Sequence, residues 1–218
     1  MNLQVKTDRA LSSEGQSSKA VYRAVSKLIS SHSGKVVDLG CGQGNFRRFV
    51  NLSKLQYIGA DLVRYPEFPP EGEFIESDLD TCQIKLPDNY AEVVCSIETI
   101  EHLENPRALM RELVRITAPG GMIAVTTPNQ LSLLSKLTLL FKNQFNAFQE
   151  CPGCYPAHIT ALLEIDLIRI ARECSLSDIQ IHYTDSGRIP GTSQKWPNSL
   201  GFKGRLFSDN AILVARKM

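Results

Sequence analysis

The run Val36-Val37-Asp38-Leu39-Gly40-Cys41-Gly42-Gln43-Gly44-Asn45-Phe46 constrains the fold of this chain more than any other stretch. Two β-branched residues and a leucine around one acid read as a buried strand. Glycines at every second place then form a turn where the backbone can approach a polar ligand closely. Their spacing chooses the ligand. A dinucleotide site has G-x-G-x-x-G, but here Asn45 stands where the third glycine would fall and Gly44 comes one place early. Walker spacing is missing too. The pattern is D-x-G-x-G-x-G, which counts against a nicotinamide dehydrogenase.

The rest of the chain alternates in the same way. Apolar periodicity predicts a helix over Ser17–Ser31, and the stretch after the glycine turn, Asn45–Leu52, reads as a second. Strands are expected at Tyr57–Asp61, Phe74–Asp78, Ala91–Ile97 and Met122–Thr127. The helix Arg107–Ile116 is expected to stop at Pro119-Gly120-Gly121. Strands alternating with helices imply right-handed crossovers and a mostly parallel α/β sheet. The last third is less regular. Leu131–Leu140 and Ala161–Cys174 read as helices, and Ile179–Tyr183 and Ile212–Ala215 as closing strands. A long polar loop, Ser186–Asn210, lies between those two strands.

Bulk properties limit the function. The 218 residues are 43% hydrophobic, enough for one domain spanning 1–218, with residues 1–16 loosely held. Formal net charge is +1, from 24 basic and 23 acidic residues. That balance lacks the basic excess of a dedicated nucleic-acid binder. Cys41 and Cys95 fall in or beside buried strands, so the six cysteines are expected to be free thiols. No apolar run reaches the ~18 residues of a membrane span. The N-terminal stretch lacks a signal-peptide core, which gives a cytoplasmic expectation.

Three acids stand at expected strand ends. Asp38 ends the first strand. Asp61, about twenty residues past the glycines, ends the second, where an acid accepts ribose hydroxyls. Asp78, beside Leu79, ends the third, with Asp80 as an alternative. Farther on come Glu92–Pro106, which contains Ser96-Ile97-Glu98-Thr99-Ile100-Glu101-His102-Leu103, then Pro119-Gly120-Gly121 and Thr127-Pro128-Asn129. On these motifs the chain from Val36 to Asn129 resembles small-molecule class I S-adenosylmethionine (SAM)-dependent methyltransferases, and most of all the ubiquinone-pathway O-methyltransferases. The resemblance implies a Rossmann-like seven-stranded sheet in order 3-2-1-4-5-7-6, with strand 7 antiparallel and helices on both faces. It implies that Gly40, Cys41 and Gly42 line the methionine part of SAM; Asp38, which by its place can hold a cationic group or help fix the glycine turn, and Gly44 count with them as cofactor-binding residues. Asp61 would take the ribose hydroxyls, Leu62 the adenine face, and Asp78 and Leu79 the adenine edge. The main chain near Ile97 would face the sulfonium. S-adenosylhomocysteine is then the product.

Acceptor chemistry is harder to read. Glu98, Glu101 and His102 share i,i+3 and i,i+4 spacing if a helical turn follows the fourth strand. His102 is the best base candidate, because imidazole titrates near neutrality; the alternative is a scaffold role for Glu101-His102. Cys151-Pro152-Gly153-Cys154 with His158 supplies three of the four ligands of a structural zinc. The preferred reading is a tight turn in a substrate-covering loop without metal. Segments 130–160 and 186–210 are the expected acceptor pocket and lid. Arg188, Lys195, Lys203 and Arg205, with Trp196 and Phe202 between them, suit an anionic small molecule. An RNA or protein acceptor, or a non-catalytic SAM-binding subunit, are the alternatives. After the fourth strand, Ser96-Ile97-Glu98-Thr99 stands where many nucleic-acid and protein amino-methyltransferases carry an Asn-Pro-Pro-Tyr-type tetrad.

Overall fold

The computed structural model describes residues 3–81, 83–150 and 154–218. Seven strands form one sheet: β1 (Gly34–Leu39), β2 (Leu55–Asp61), β3 (Glu73–Glu76), β4 (Ala91–Ile97), β5 (Thr117–Pro128), β6 (Leu176–Tyr183) and β7 (Asn210–Lys217). Their order is β3-β2-β1-β4-β5-β7-β6. The first five pair in parallel, and β7 runs antiparallel to both β5 and β6. The chain leaves β1 toward β2 on one side and returns to β4 on the other. That reversal opens a crevice at the carboxyl ends of β1 and β4, where open α/β sheets bind ligands.

Alternation along each strand divides the core between two faces. Val37, Leu39, Ile58, Val94 and Ile123 pack under α3 (Pro106–Ile116) and α5 (Glu164–Glu173), through Leu109, Leu113, Leu167 and Ile170. Val36, Tyr57, Val93, Cys95 and Met122 face α2 (Lys19–Ile29), through Val21, Val25 and Ile29. α2 starts where Ser18 accepts from the Val21 N–H, and α3 where Asn105 caps the Ala108 N–H ahead of Pro106. α4 (Leu133–Lys142) is capped by Ser132. No helix among the described residues is long and apolar enough to cross a membrane. The described cysteines Cys41, Cys95, Cys154 and Cys174 are free thiols.

Four local expectations need correction. Residues 1–16 were expected to be loosely held, yet Leu3–Ser12 forms a helix, α1. The Tyr65 hydroxyl donates to the Ala10 carbonyl, and the Gln43 N–H to Gly15, so this segment is tied to the sheet edge. Asn45–Phe49 is a 3₁₀ turn rather than an α-helix. β3 ends at Glu76, two residues short of Asp78. Pro119-Gly120-Gly121 does not stop a helix; it lies inside β5, which starts at Thr117 with an irregular register against β4.

Gly40 and Gly42 are required by shape as well as by conformation. Both have positive φ, 81° and 51°. A Cβ on Gly40 would collide with the Thr99 side chain, and one on Gly42 with the Gly15 backbone. Gly40→Ala is therefore expected to lower unfolding free energy by about 1–3 kcal/mol. Thr99→Ala in the same chain is expected to restore part of that loss by removing the struck side chain. Urea denaturation of the two single variants and the double variant checks this; strictly additive losses would disprove the contact.

Candidate active site

One cavity of about 530 Å³ opens at the carboxyl ends of the parallel strands, a size suited to a small organic ligand. Asp38, Gly40, Cys41 and Gly42 line it from the turn after β1, and Asp61 and Leu62 from the end of β2. Asp78 and Leu79 reach it from the loop after β3, and Ile97, Glu98 and His102 from the segment after β4. Two expected site residues do not line it. Gly44 starts the 3₁₀ turn with φ 72° and packs toward Phe68 and Pro69. Glu101 is wholly buried behind the wall.

Lys6, Ala10 and Ser12–Ser17, missed in the sequence, complete one wall, and Cys154–His158 of the expected acceptor segment 130–160 complete the other with Thr99. Lys6 forms an ion pair with Asp78, Nζ to Oδ2 2.7 Å, with Asp80 at 3.9 Å. Asp78 Oδ1 accepts the Asp80 N–H.

The acids sit in low-dielectric surroundings, which disfavour their charged forms. Asp38 accepts a 2.7 Å hydrogen bond from the Tyr57 hydroxyl, and its other oxygen has no partner. Burial pushes its carboxyl up to about 7; the Tyr57 bond opposes this, while nearby Asp61 adds to it. Asp61 is raised by burial as well, against backbone N–H groups that favour its anion. Its Oδ2 accepts from Gly42 N at 2.8 Å and its Oδ1 from Leu62 N at 2.7 Å. Asp61 thereby locks the glycine turn onto β2.

After β4 the chain turns sharply. Glu98 has φ 52°, unusual for a residue with a side chain, and its N–H donates to the Thr126 hydroxyl. Ile100–His102 then form a 3₁₀ turn rather than the α-turn that would align Glu98, Glu101 and His102 on one face. Glu98 Oε1 accepts from the Asn210 side chain at 2.6 Å. Burial pushes Glu98 up to about 7, with Asn210 opposing and Asp209 adding. Burial raises Glu101 further, and Glu98 adds to it. His102 Nδ1 lies 2.9 Å from the Ala157 carbonyl. A carbonyl only accepts, so Nδ1 carries a proton.

The basic loop behaves differently from expectation. None of the described residues of 186–210 lines the cavity. Arg188 pairs with Asp209, Arg205 with Glu164, and Lys195 donates to the Ser186 hydroxyl. Trp196, Phe202 and Phe207 pack on one another with ring centroids 5.0–5.1 Å apart. The loop is a small folded unit using its own charges and rings. Of the Cys-Pro-Gly-Cys run, Cys151, Pro152 and Gly153 lie outside the described residues.

Asp38 supplies a pH test. Its folded pKa, near 7, lies above the unfolded value of about 3.9. Its contribution to stability is present below pH 4 and lost as pH rises through 7. Asp38→Asn cannot lose a proton, so its stability relative to wild type should improve between pH 4 and pH 8, on the order of 3 kcal/mol. Urea unfolding at both values measures this; an unchanged difference would mean Asp38 is ionised throughout.

Comparison with known proteins agrees with this architecture. The profile of the methyltransferase-domain family matches residues 14–172. A probable chloroplastic tocopherol O-methyltransferase of Oryza sativa subsp. japonica is 28% identical over 164 residues, covering 66% of this chain and 42% of that protein. A ubiquinone biosynthesis O-methyltransferase of Aliivibrio fischeri is 27% identical over 105 residues, 44% of each chain. The matched stretch thus spans less than half the length of either relative. Among solved structures, a SAM-dependent methyltransferase of Thermotoga maritima, described as a possible histamine N-methyltransferase, superposes with TM-score 0.68. That superposition has 16% identity and covers 91% of this chain and 88% of that one. With its seven-stranded sheet in order 3-2-1-4-5-7-6 and a family match over most of its length, this chain belongs to the class I SAM-dependent methyltransferases.

Proposed function

We propose that this protein transfers a methyl group from SAM to an oxygen or nitrogen of a small-molecule acceptor. The observation that carries the reading is one cavity lined by the glycine turn and by three acids, Asp38 and Asp61 at the ends of β1 and β2 and Asp78 from the loop after β3. SAM is cationic at sulfur and at its amino group. Buried acids raised by desolvation recover their favourable charged state beside such a ligand. Gly40 and Gly42 line the cavity with backbone alone and at positive φ, which suits close approach of a ligand to the main chain. Leu62 and Leu79 supply apolar surface for a purine ring beside Asp61 and Asp78.

The cofactor brings an activated methyl group, and the chain's work is to hold and orient. Asp61, already fixed by two backbone N–H groups, retains acceptor capacity for ribose hydroxyls. Ile97 and Glu98 bring main chain to the transfer end of the cavity. The acceptor's lone pair forms the new bond to the methyl carbon as the carbon–sulfur bond breaks, leaving a neutral thioether. The acceptor's proton leaves on the protein side, where Glu98 and His102 stand at the cavity wall. The names of the curated relatives, both O-methyltransferases of small molecules, favour that acceptor class.

Calorimetry with SAM, followed by a transfer screen over phenols, carboxylates and amines with labelled SAM, tests the proposal. Asp61→Ala should weaken SAM binding by about 10- to 100-fold, the loss of a charge-assisted hydrogen bond. His102→Ala should lower turnover about 100-fold while SAM affinity stays within about threefold. No SAM binding by the wild-type chain would refute the reading. Unchanged turnover in His102→Ala would remove His102 from the chemistry.

A further inference from the structure

We infer that Glu101, His102 and His158 form a divalent-metal site at the acceptor side of the cavity. One ligand atom from each lies within 4.8 Å of the others. Nitrogen and oxygen ligands sit about 2.0–2.2 Å from an ion such as zinc, so two ligands on one ion are at most about 4.4 Å apart. The three groups need only a small inward adjustment.

Glu101 supplies the strongest reason to look for a cation. It has no solvent exposure, and no donor meets either carboxylate oxygen in hydrogen-bond geometry. The Thr127 hydroxyl and its own N–H offset its burial only in part. A buried carboxylate without partners is among the costliest arrangements in a protein interior unless it is protonated or bound to a cation. Glu98 sits beside it with the same sign of charge and raises that cost.

Both histidines are prepared as ligands. His102 holds its Nδ1 proton against the Ala157 carbonyl at 2.9 Å, leaving Nε2 as the donor atom. A backbone carbonyl holding the remote ring nitrogen is the usual support of a metal-bound histidine. The His158 ring meets that of His102 edge-on, centroids 4.7 Å apart. Its Nδ1 is buried without a partner, and its ring bonds the Ala147 carbonyl.

The backbone joins these pieces. The Ile159 and Thr160 N–H groups both donate to the Glu101 carbonyl at 2.9 Å, and the Thr160 hydroxyl donates to the Leu103 carbonyl at 2.6 Å. The residue after His158 is thus bonded to the turn carrying the other two ligands, across more than fifty residues of chain. Phe148 packs against the far side of His158, ring centroids 5.4 Å apart.

Two imidazoles and one carboxylate favour zinc, manganese, cobalt or iron(II) over magnesium or calcium, which prefer oxygen sets. Three protein ligands leave coordination positions open. Because His102 and His158 both line the cavity while Glu101 lies behind it, the open side faces the cavity. An acceptor oxygen is the natural occupant; this deepens the methyltransferase reading and rests on it. A ligand oxygen there is fixed in direction, and a bound hydroxyl is made more acidic. His102 then acts as a ligand, and Glu98 remains to receive the proton.

The test uses the full chain, freed of metal with a chelator and titrated with Co²⁺ while its visible d–d bands are followed. The expected result is one Co²⁺ per chain, displaced by Zn²⁺ and not by excess Mg²⁺. His158→Gln should weaken binding at least tenfold, and Glu101→Gln likewise, with SAM affinity of His158→Gln within about threefold of wild type as the check on folding. Wild type that binds no Co²⁺, or binds it no better than His158→Gln, overturns the site and assigns Glu101 as a buried, protonated carboxyl. A chain that binds Co²⁺ as expected and no SAM would retain the site and reject the methyltransferase reading.

Discussion

Everything at the working end of this protein depends on acids buried at one edge of a parallel sheet. Asp38 sits between Gly59 of β2 and Cys95 of β4 in the hydrogen-bonded register. Small neighbours there let Cys41 and Phe68 pack in against Gly59, and Asp38 is left almost without solvent. Right-handed crossovers place every parallel strand's carboxyl end on that same side, so each acid adds to one field. Asp38, Asp61, Glu98 and Glu101 are all raised by desolvation. The free protein therefore holds a costly concentration of potential negative charge. Any cation that enters relieves that cost in the native state alone, and stabilises the fold as it binds.

The N-terminal wall of the cavity is held to this edge by polar bonds. α1 and the turn after it depend on the Lys6–Asp78 pair, the Tyr65–Ala10 bond and the Gln43–Gly15 bond. Each joins the N-terminal segment to a residue next to the nucleoside end: Asp78 lines it, Tyr65 follows Asp61, and Gln43 follows Gly42. The segment contributes little apolar burial of its own; Val5 and Leu11 remain exposed. Its position depends on polar bonds to the same turns that form the cavity. Segments with little apolar burial open at lower free energy than the core, and here such a segment forms one wall of the cavity.

This explains which parts were legible in the sequence. Strands buried on both faces are apolar runs, and the acid that ends each run is conspicuous; Asp38, Asp61 and the β4 segment were readable for that reason. α1 was not, because Leu3–Ser12 has a mixed, polar composition and its helix is held by Asp78 and Tyr65, far away in sequence. Glu101 was read as a catalytic candidate or a scaffold partner of His102; its full burial has no local signal, since a glutamate rarely lies fully buried. The tight turn begun by Glu98 at φ 52° rotated it inward. His158 was visible only as part of a cysteine motif. Its pairing with His102 is a tertiary contact that no local pattern encodes. The strand through Pro119-Gly120-Gly121 was hidden for a simpler reason: these breakers fall where β5 pairs irregularly with β4, and local propensity does not show a register shift.

The acceptor half was the least legible because charge was taken as the signal. Arg188, Lys195 and Arg205 looked free in the sequence, yet the folded loop gives them Asp209, Ser186 and Glu164. Its three rings stack on one another rather than standing open to a ligand. Recognition of an anion through that loop would have to break these pairs first, and exposed pairs replaced one for one yield little net affinity. The polar side chains facing the cavity beside Glu98 include two histidines, His102 with Nδ1 against the Ala157 carbonyl and His158 packed edge-on against its ring. Imidazole nitrogens give directed hydrogen bonds, and these two stand in the cavity wall where the residues of the basic loop do not.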